Sequence, residues 1–230
     1  MAVEIGGEKV KGIFIKRPNR FEAEVLVNGK IEIAHVANTG RMSEMLTEGV
    51  EVILQKSDNP KRKTKYSLMF VKKRDNLICI KSALANNVFE DAFKNGKINW
   101  IKGKLQREVT YKNSRFDFLI TGNENCFVEV KCGTYEENGI LKFPDAPTSR
   151  GRKHIDELID AKNNGFNGAI VIIGFMDYIT EFTPNYKIDS EFGLKLKKAL
   201  DSGIDFHVYK TIIKENSIEI YEEIPYYFEF

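Results

Sequence analysis

The chain has 230 residues, 42% hydrophobic and 30% charged, with 35 Lys and Arg against 33 Asp and Glu. Those totals exclude a disordered chain and a polybasic, histone-like protein. No apolar stretch approaches the roughly 20 residues of a membrane-spanning helix, so no membrane partner is expected. The net charge of +2 is a cancellation. Residues 1–155 hold 28 basic and 19 acidic side chains (+9), and residues 156–230 hold 7 and 14 (−7). This asymmetry points to an anionic partner for the first two-thirds of the chain. Three scattered cysteines, Cys79, Cys126 and Cys132, have no C-x-x-C spacing. They read as reduced thiols of a cytoplasmic protein rather than a disulfide framework or a zinc site. The first eight residues lack the basic and apolar regions of a signal peptide.

In chain order, five short strands come first. Val10 to Lys16 is apolar-rich, and Phe21–Val27 and Lys30–Val36 alternate on either side of Asn28-Gly29. Asn-Gly between alternating runs is the strongest local hairpin signal. Val50–Leu54 and Lys65–Val71 complete the set. Five such strands suggest a small OB-like β-barrel over residues 1–78. Lys61, Arg62 and Lys63 form a basic loop before the last strand, either a solvated surface run or a set of phosphate contacts. Tyr66 and Phe70 nearby would stack on bases or face the barrel core.

From residue 79 the pattern becomes helical. Ser82 is a candidate cap for a helix over residues 83–93, with apolar positions at 84, 85, 88, 89, 92 and 93. Further helices are predicted over 149–162 and 190–200. Gly168–Gly174 reads as a strand buried on both faces, and 204–209 as another. Helices interleaved with strands predict a mixed-sheet α/β domain over residues 79–230, so the chain is α/β overall.

One hairpin carries the chemistry. Ser114–Ile120 and Cys126–Lys131 flank the loop Thr121–Asn125. A turn centred on Asn123 pairs residues whose numbers sum to 246: Phe118 with Val128, Phe116 with Val130, Ile120 with Cys126. The other face then sets Asp117 against Glu129 and Arg115 against Lys131. A slip of one residue would mix charges into the apolar face, so the pattern selects this register. Opposed Cβ atoms lie roughly 4.5–5.5 Å apart. Two carboxylates at that separation repel unless a hard cation such as Mg²⁺ or Mn²⁺ lies between them. Lys131 points the same way and would orient a water or offset developing negative charge. The alternative is a solvated face with diagonal ion pairs.

An acidic residue, a loop and then Glu-x-Lys on the next strand, after a leading helix, resembles the PD-(D/E)xK nuclease superfamily. Phe116 stands where that superfamily often has Pro. The resemblance offers Glu90, on the leading helix, as a third acid; Glu108, before the Asp117 strand, is its rival. A longer resemblance spans nearly the whole chain. Arg20-Phe21, Asn38-Thr39-Gly40-Arg41-Met42, Leu84-Ala85-Asn86, Ser114-Arg115-Phe116-Asp117-Phe118, Glu129-Val130-Lys131 and residues 143–154 are similar to the sugar fermentation stimulation protein A family of bacteria and archaea. That resemblance implies an OB-like domain, a restriction-endonuclease-like α/β domain, and DNA binding without marked sequence preference. Asn113 and the Gly174-Phe175 pair depart from the family, which often has Gly and Gln near those places.

The expected site therefore has Asp117 and Glu129 as ligands of Mg²⁺ or Mn²⁺ and Lys131 as catalytic helper. Arg20, Arg41, Lys61, Arg62, Lys63, Arg115, Arg150, Lys153 and His154 are candidate DNA contacts. Arg150, Lys153 and His154 open a helix, whose N-terminus favours phosphate. His154 is equally readable as a structural histidine. The leading expectation is a metal-dependent nuclease. A non-catalytic DNA-binding regulator is the alternative, and an OB-type RNA or oligosaccharide binder the third. The sequence sets no oligomeric state; a homodimer is one option.

Overall fold

The structure is a computed structural model that describes residues 2–38 and 40–229. After a two-residue strand, β1 (Val3–Glu4), the chain runs through β2 (Lys9–Asn19), β3 (Glu22–Val27), β4 (Lys30–Val36), β5 (Glu51–Lys56) and β6 (Tyr66–Lys73). β4, β3, β2, β5 and β6 are joined in that order by antiparallel ladders, and a parallel pairing of β4 with β6, Ala34↔Tyr66 to Val36↔Leu68, closes the barrel. The predicted hairpin is present: β3 and β4 pair without a break from Glu22↔His35 to Val27↔Lys30. Asn28 and Gly29 take φ values of 48° and 78°, the left-handed pair that a two-residue turn requires. Alternation puts Ala23, Val25, Val27, Ala34 and Val36 inside. Tyr66 and Phe70 are buried too, so neither is a stacking platform. β7 (Asn76–Cys79) adds to the free side of β6.

The second region contains α1 (Leu84–Lys94), β8 (Lys104–Tyr111), β9 (Ser114–Thr121), β10 (Cys126–Gly133), β11 (Tyr135–Glu137), β12 (Ile140–Phe143), α2 (Ser149–Asn163), β13 (Asn167–Gly174), β14 (Glu181–Pro184), α3 (Tyr186–Asp201), β15 (Asp205–Lys214) and β16 (Ser217–Glu223). Seven strands form one mixed sheet in the order β1-β16-β15-β13-β10-β9-β8, with β10, β13 and β15 parallel at its centre. β13 is buried on both faces. Its Val171 and Ile173 pack in one cluster with Val88 and Phe89 of α1. Ile170 and Ile172 pack in another with Leu158 of α2 and Leu196 of α3. The result is α1 on one side of the sheet and α2 with α3 on the other. Phe89 meets Phe118 at 5.1 Å between ring centroids, a contact contributing about 0.5–1.5 kcal/mol beyond its buried area. β11, β12 and β14 make a small separate sheet. Among the described residues no helix is long and apolar enough to cross a membrane.

Several boundaries differ from the sequence reading. Ser82 does not cap α1: the cap position is Ala83, without a side-chain hydrogen bond, and the Ser82 hydroxyl donates to Ala37 O at 3.4 Å. α3 spans Tyr186–Asp201 but is kinked at Asp189, whose φ of −151° and ψ of 82° are non-helical, so the segment after the kink starts where the sequence predicts, near Ser190. β1, β7, β8, β11, β12, β14 and β16 were not anticipated as separate strands. Two to four residues are too short to show a period, and Ser217–Glu223 ends in a run of exposed positions.

Candidate active site and nucleic-acid surface

The β9–β10 hairpin follows the predicted register only in part. Ile120↔Cys126, Leu119↔Phe127 and Phe118↔Val128 pair as expected, and the ladder then stops. Asp117 is the reason. Its Oδ2 accepts the Val130 N–H at 2.8 Å, so a side-chain oxygen takes the donor that a strand carbonyl would have met. Alternation fails at the same point. Phe118 and Ile120 join the α1-side cluster, whereas Phe116 sits with Phe127 in the α2-side cluster. The expected single apolar face, with Phe116 opposite Val130, is therefore corrected: both faces of this hairpin are buried, and the two acids lie within the domain.

Asp117 Oδ1 accepts from Asn86 Nδ2 of α1 at 2.7 Å. Burial, and secondly the charge of Glu129, push its carboxyl above the ordinary value. Glu129 is only 3% exposed. Its Oε1 accepts from both Lys131 Nζ and His154 Nδ1. Burial alone would raise its carboxyl, but Lys131 and His154 outweigh that and hold it below the usual range. Its Oε2 is buried and has no hydrogen-bond partner among the described residues. A buried carboxylate oxygen left in that state is costly unless something positive joins it.

A cleft of about 600 Å³ lies one side chain away from this pair, lined by residues that hold the two acids rather than by the acids themselves. Asn86, Val130 and Lys131, neighbours of both acids, form one wall; Asn38 and Gly40 of the barrel, Asp145 and Arg150 form others. The barrel loop is held from below by Arg17, which donates to the carbonyls of Arg20 (2.5 Å), Asn38 (2.8 Å), Gly40 (2.6 Å) and Arg41 (2.9 Å). Gly40 admits the Asp145 carboxylate: a Cβ there would lie 1.8 Å from Asp145 Oδ2.

The remaining predicted residues separate into groups. Glu90 is not brought to the acids; it pairs with Lys94 at 2.7 Å and Arg107 at 3.1 Å. Glu108, at φ 56°, faces solvent and pairs with Arg115 at 2.8 Å, so Arg115 does not oppose Lys131. Among the described residues no three His, Cys, Asp or Glu side chains are grouped to hold an ion. Arg20, Arg41, Lys61, Arg62, Lys63, Arg150 and Lys153 are exposed, whereas His154 is buried against Glu129 and faces no outside ligand. Sequence reasoning missed Arg17 and the role of Asn86. It also missed that the outer face of β3 and β4 carries exposed Leu26, Ile31 and Ile33 rather than aromatic and basic side chains. His154 was findable: it falls on the stripe 151, 154, 155, 158, 161 that α2 buries.

Fold and site together define an OB-type barrel joined to a helix–sheet–helix domain whose central hairpin buries two acids beside a basic-rimmed cleft. The comparisons agree. A profile for the SfsA N-terminal OB domain matches residues 15–80, and one for the sugar fermentation stimulation protein RE domain matches residues 83–217. Two sugar fermentation stimulation protein homologs of Clostridium botulinum, from strains Alaska E43 and Langeland, are 43% and 45% identical to the chain over 215 residues, spanning 92% of it and 94% of each relative. A solved structure of Pyrococcus furiosus SfsA in complex with Ca²⁺ superimposes with a TM-score of 0.89 at 28% identity, covering 98% of both chains. The chain belongs to the sugar fermentation stimulation protein (SfsA) family.

Proposed function

We propose that this protein binds DNA without sequence preference and cleaves phosphodiester bonds with the help of Mg²⁺ or Mn²⁺, in the cytoplasm. The observation that carries this reading is Glu129 Oε2, buried near Asp117 and without a hydrogen-bond partner among the described residues. The donor set fits a hard divalent cation: two carboxylates, with the cleft open for water or phosphate oxygens to complete the shell. The Ca²⁺ complex of the Pyrococcus furiosus relative supports the same reading. Asp117 and Glu129 would hold the ion, whose chemistry is to polarise a phosphoryl oxygen and make bound water more acidic. Asn86 and the Val130 N–H fix the Asp117 carboxylate. Lys131, on the cleft wall, would offset charge developing on the phosphate. Arg150 and the exposed start of α2 would bind a flanking phosphate, and the basic loop at Lys61–Lys63 would extend the grip along the backbone.

The test is cleavage of single-stranded, duplex and branched DNA with Mg²⁺ or Mn²⁺, wild type against Asp117→Ala. Nicking that disappears in the variant while gel-shift binding persists is the expected result. No cleavage of any substrate by the wild type would sink the enzymatic reading. One observation favours a binding protein without cleavage: Glu90 and Glu108 are paired with arginines, and among the described residues no third carboxylate is grouped with Asp117 and Glu129. DNA binding would then be unchanged by Asp117→Ala.

A further inference from the structure

His154 is an unusual neighbour for a candidate cation ligand, because it is a ring 5% exposed that binds the carboxylate and nothing outside the protein. Its other nitrogen also has a partner. Arg150 Nε lies 3.4 Å from His154 Nε2, and a guanidinium can only donate. The arrangement in which Nε2 accepts from Arg150 and Nδ1–H donates to Glu129 Oε1 satisfies both contacts at once. The ring plane is held as well: the edge of Phe116 meets His154 at 6.0 Å and 75°. That contact exists because the strand changes face at Asp117, and it gives Phe116 a use in the place where related nucleases often carry Pro.

The consequence falls on the two oxygens of Glu129. Oε1 already accepts two donors, His154 Nδ1–H and Lys131 Nζ. Oε2 accepts none among the described residues. The carboxylate cannot rotate to exchange them without breaking both bonds inside a buried site. We propose that His154 is a positioning residue, held between Arg150, Phe116 and Glu129, that presents Glu129 Oε2 alone to the divalent cation. This rests on the metal-site reading above. Carboxylate or backbone partners commonly orient a metal-bound histidine from behind. Here the order is reversed: the histidine stands behind, and the carboxylate is the ligand.

The experiment measures Mn²⁺ binding to the DNA-free protein by calorimetry, with apo melting temperatures recorded for every variant. His154→Asn keeps an N–H donor at the Nδ1 position; His154→Leu removes it; His154→Gln has similar reach but places its amide at the Nε2 position. Loss of an outer partner typically costs 10–100-fold in metal affinity. His154→Leu and His154→Gln should weaken Mn²⁺ binding by about that factor, and His154→Asn should restore most of it. If His154→Leu does not fold, the Asn and Gln variants carry the test. Equal affinity in Asn and Gln variants, or wild-type affinity in His154→Leu while Asp117→Ala has lost Mn²⁺, overturns the positioning role and leaves the metal site standing. A wild type that binds no Mn²⁺ overturns both.

Discussion

Two hairpins of this chain begin from the same sequence grammar and end differently. β3–β4 is paired along its whole length, from the Asn28-Gly29 turn to Glu22↔His35. β9–β10 pairs for three residues and then opens, because Asp117 spends its carboxylate on the Val130 N–H. The first hairpin closes a barrel. The second gives up ladder hydrogen bonds and holds two acids in a place where both sheet faces are covered. The lesson is that an acidic side chain bonding to the opposite backbone can convert a structural element into a chemical one. The cost is of the order of a hydrogen bond or two, roughly 0.5–1.5 kcal/mol each.

That contrast can be broken from either side. The largest effect is expected at the open hairpin. Asp117→Asn should reduce Mg²⁺-dependent cleavage by about 10³-fold or more, as removal of a central catalytic group does. The Asn oxygen can still accept from Val130, and Asn86 can turn its amide to accept from the new NH2, so chemical denaturation should show a loss below about 1.5 kcal/mol. A collapse in stability instead would mean that the hairpin needs the charge itself to fold. Next is Leu68→Ala, in the strand that closes the barrel against Val36; Leu68 is fully buried. It should cost about 2–5 kcal/mol of stability, with Mn²⁺ affinity unchanged at temperatures where the protein remains folded.

A smaller effect separates surface from scaffold. Replacing Lys61, Arg62 and Lys63 together by Ala should change stability by no more than about 0.5 kcal/mol, since all three are exposed. DNA affinity should fall, and the slope of log affinity against log salt should flatten by roughly 0.9 for each phosphate no longer neutralised. An unchanged slope would remove the loop from the interface, and with it the case against an oligosaccharide ligand.

The smallest effect is on pH. Glu129 is held below its ordinary value in the folded protein, so it contributes stability above the usual carboxylate range and loses it as pH falls through the lowered value. Metal-free Glu129→Gln, compared with wild type by thermal melting, should show a stability difference that shrinks on acidification. Asp117 is shifted the other way, by burial first and then by the Glu129 charge, so its shift relaxes in the variant and offsets part of the difference without reversing its direction. A difference that grows as pH falls would contradict the buried Lys131 and His154 bonds.

Much of the scaffold was legible in the sequence because period and turn chemistry carry it. Alternation around Asn28-Gly29 found β3 and β4, and the apolar run 168–174 found β13 to within one residue. The register of the second hairpin was legible up to Phe118, where alternation is the governing rule. Beyond it the Asp117 hydrogen bond governs, and no hydrophobic pattern announces a side chain that substitutes for a carbonyl. The acids were nameable from their residue types. Asn86 and Arg17 were not, since each acts through a contact distant in sequence, at Asp117 and at the carbonyls of Asn38, Gly40 and Arg41. His154 was left open between a DNA contact and a structural histidine, and its place on the buried stripe of α2 favours the second.

The Arg17 clamp has one further consequence. A loop beside a cleft ordinarily turns some carbonyl oxygens outward, and their partial negative charge repels phosphate. Here Arg20, Asn38, Gly40 and Arg41 direct theirs onto one guanidinium beneath. On the reading proposed above, the barrel side of the cleft would meet a polyanion with the Asn38 and Gly40 carbonyls already turned onto a cation.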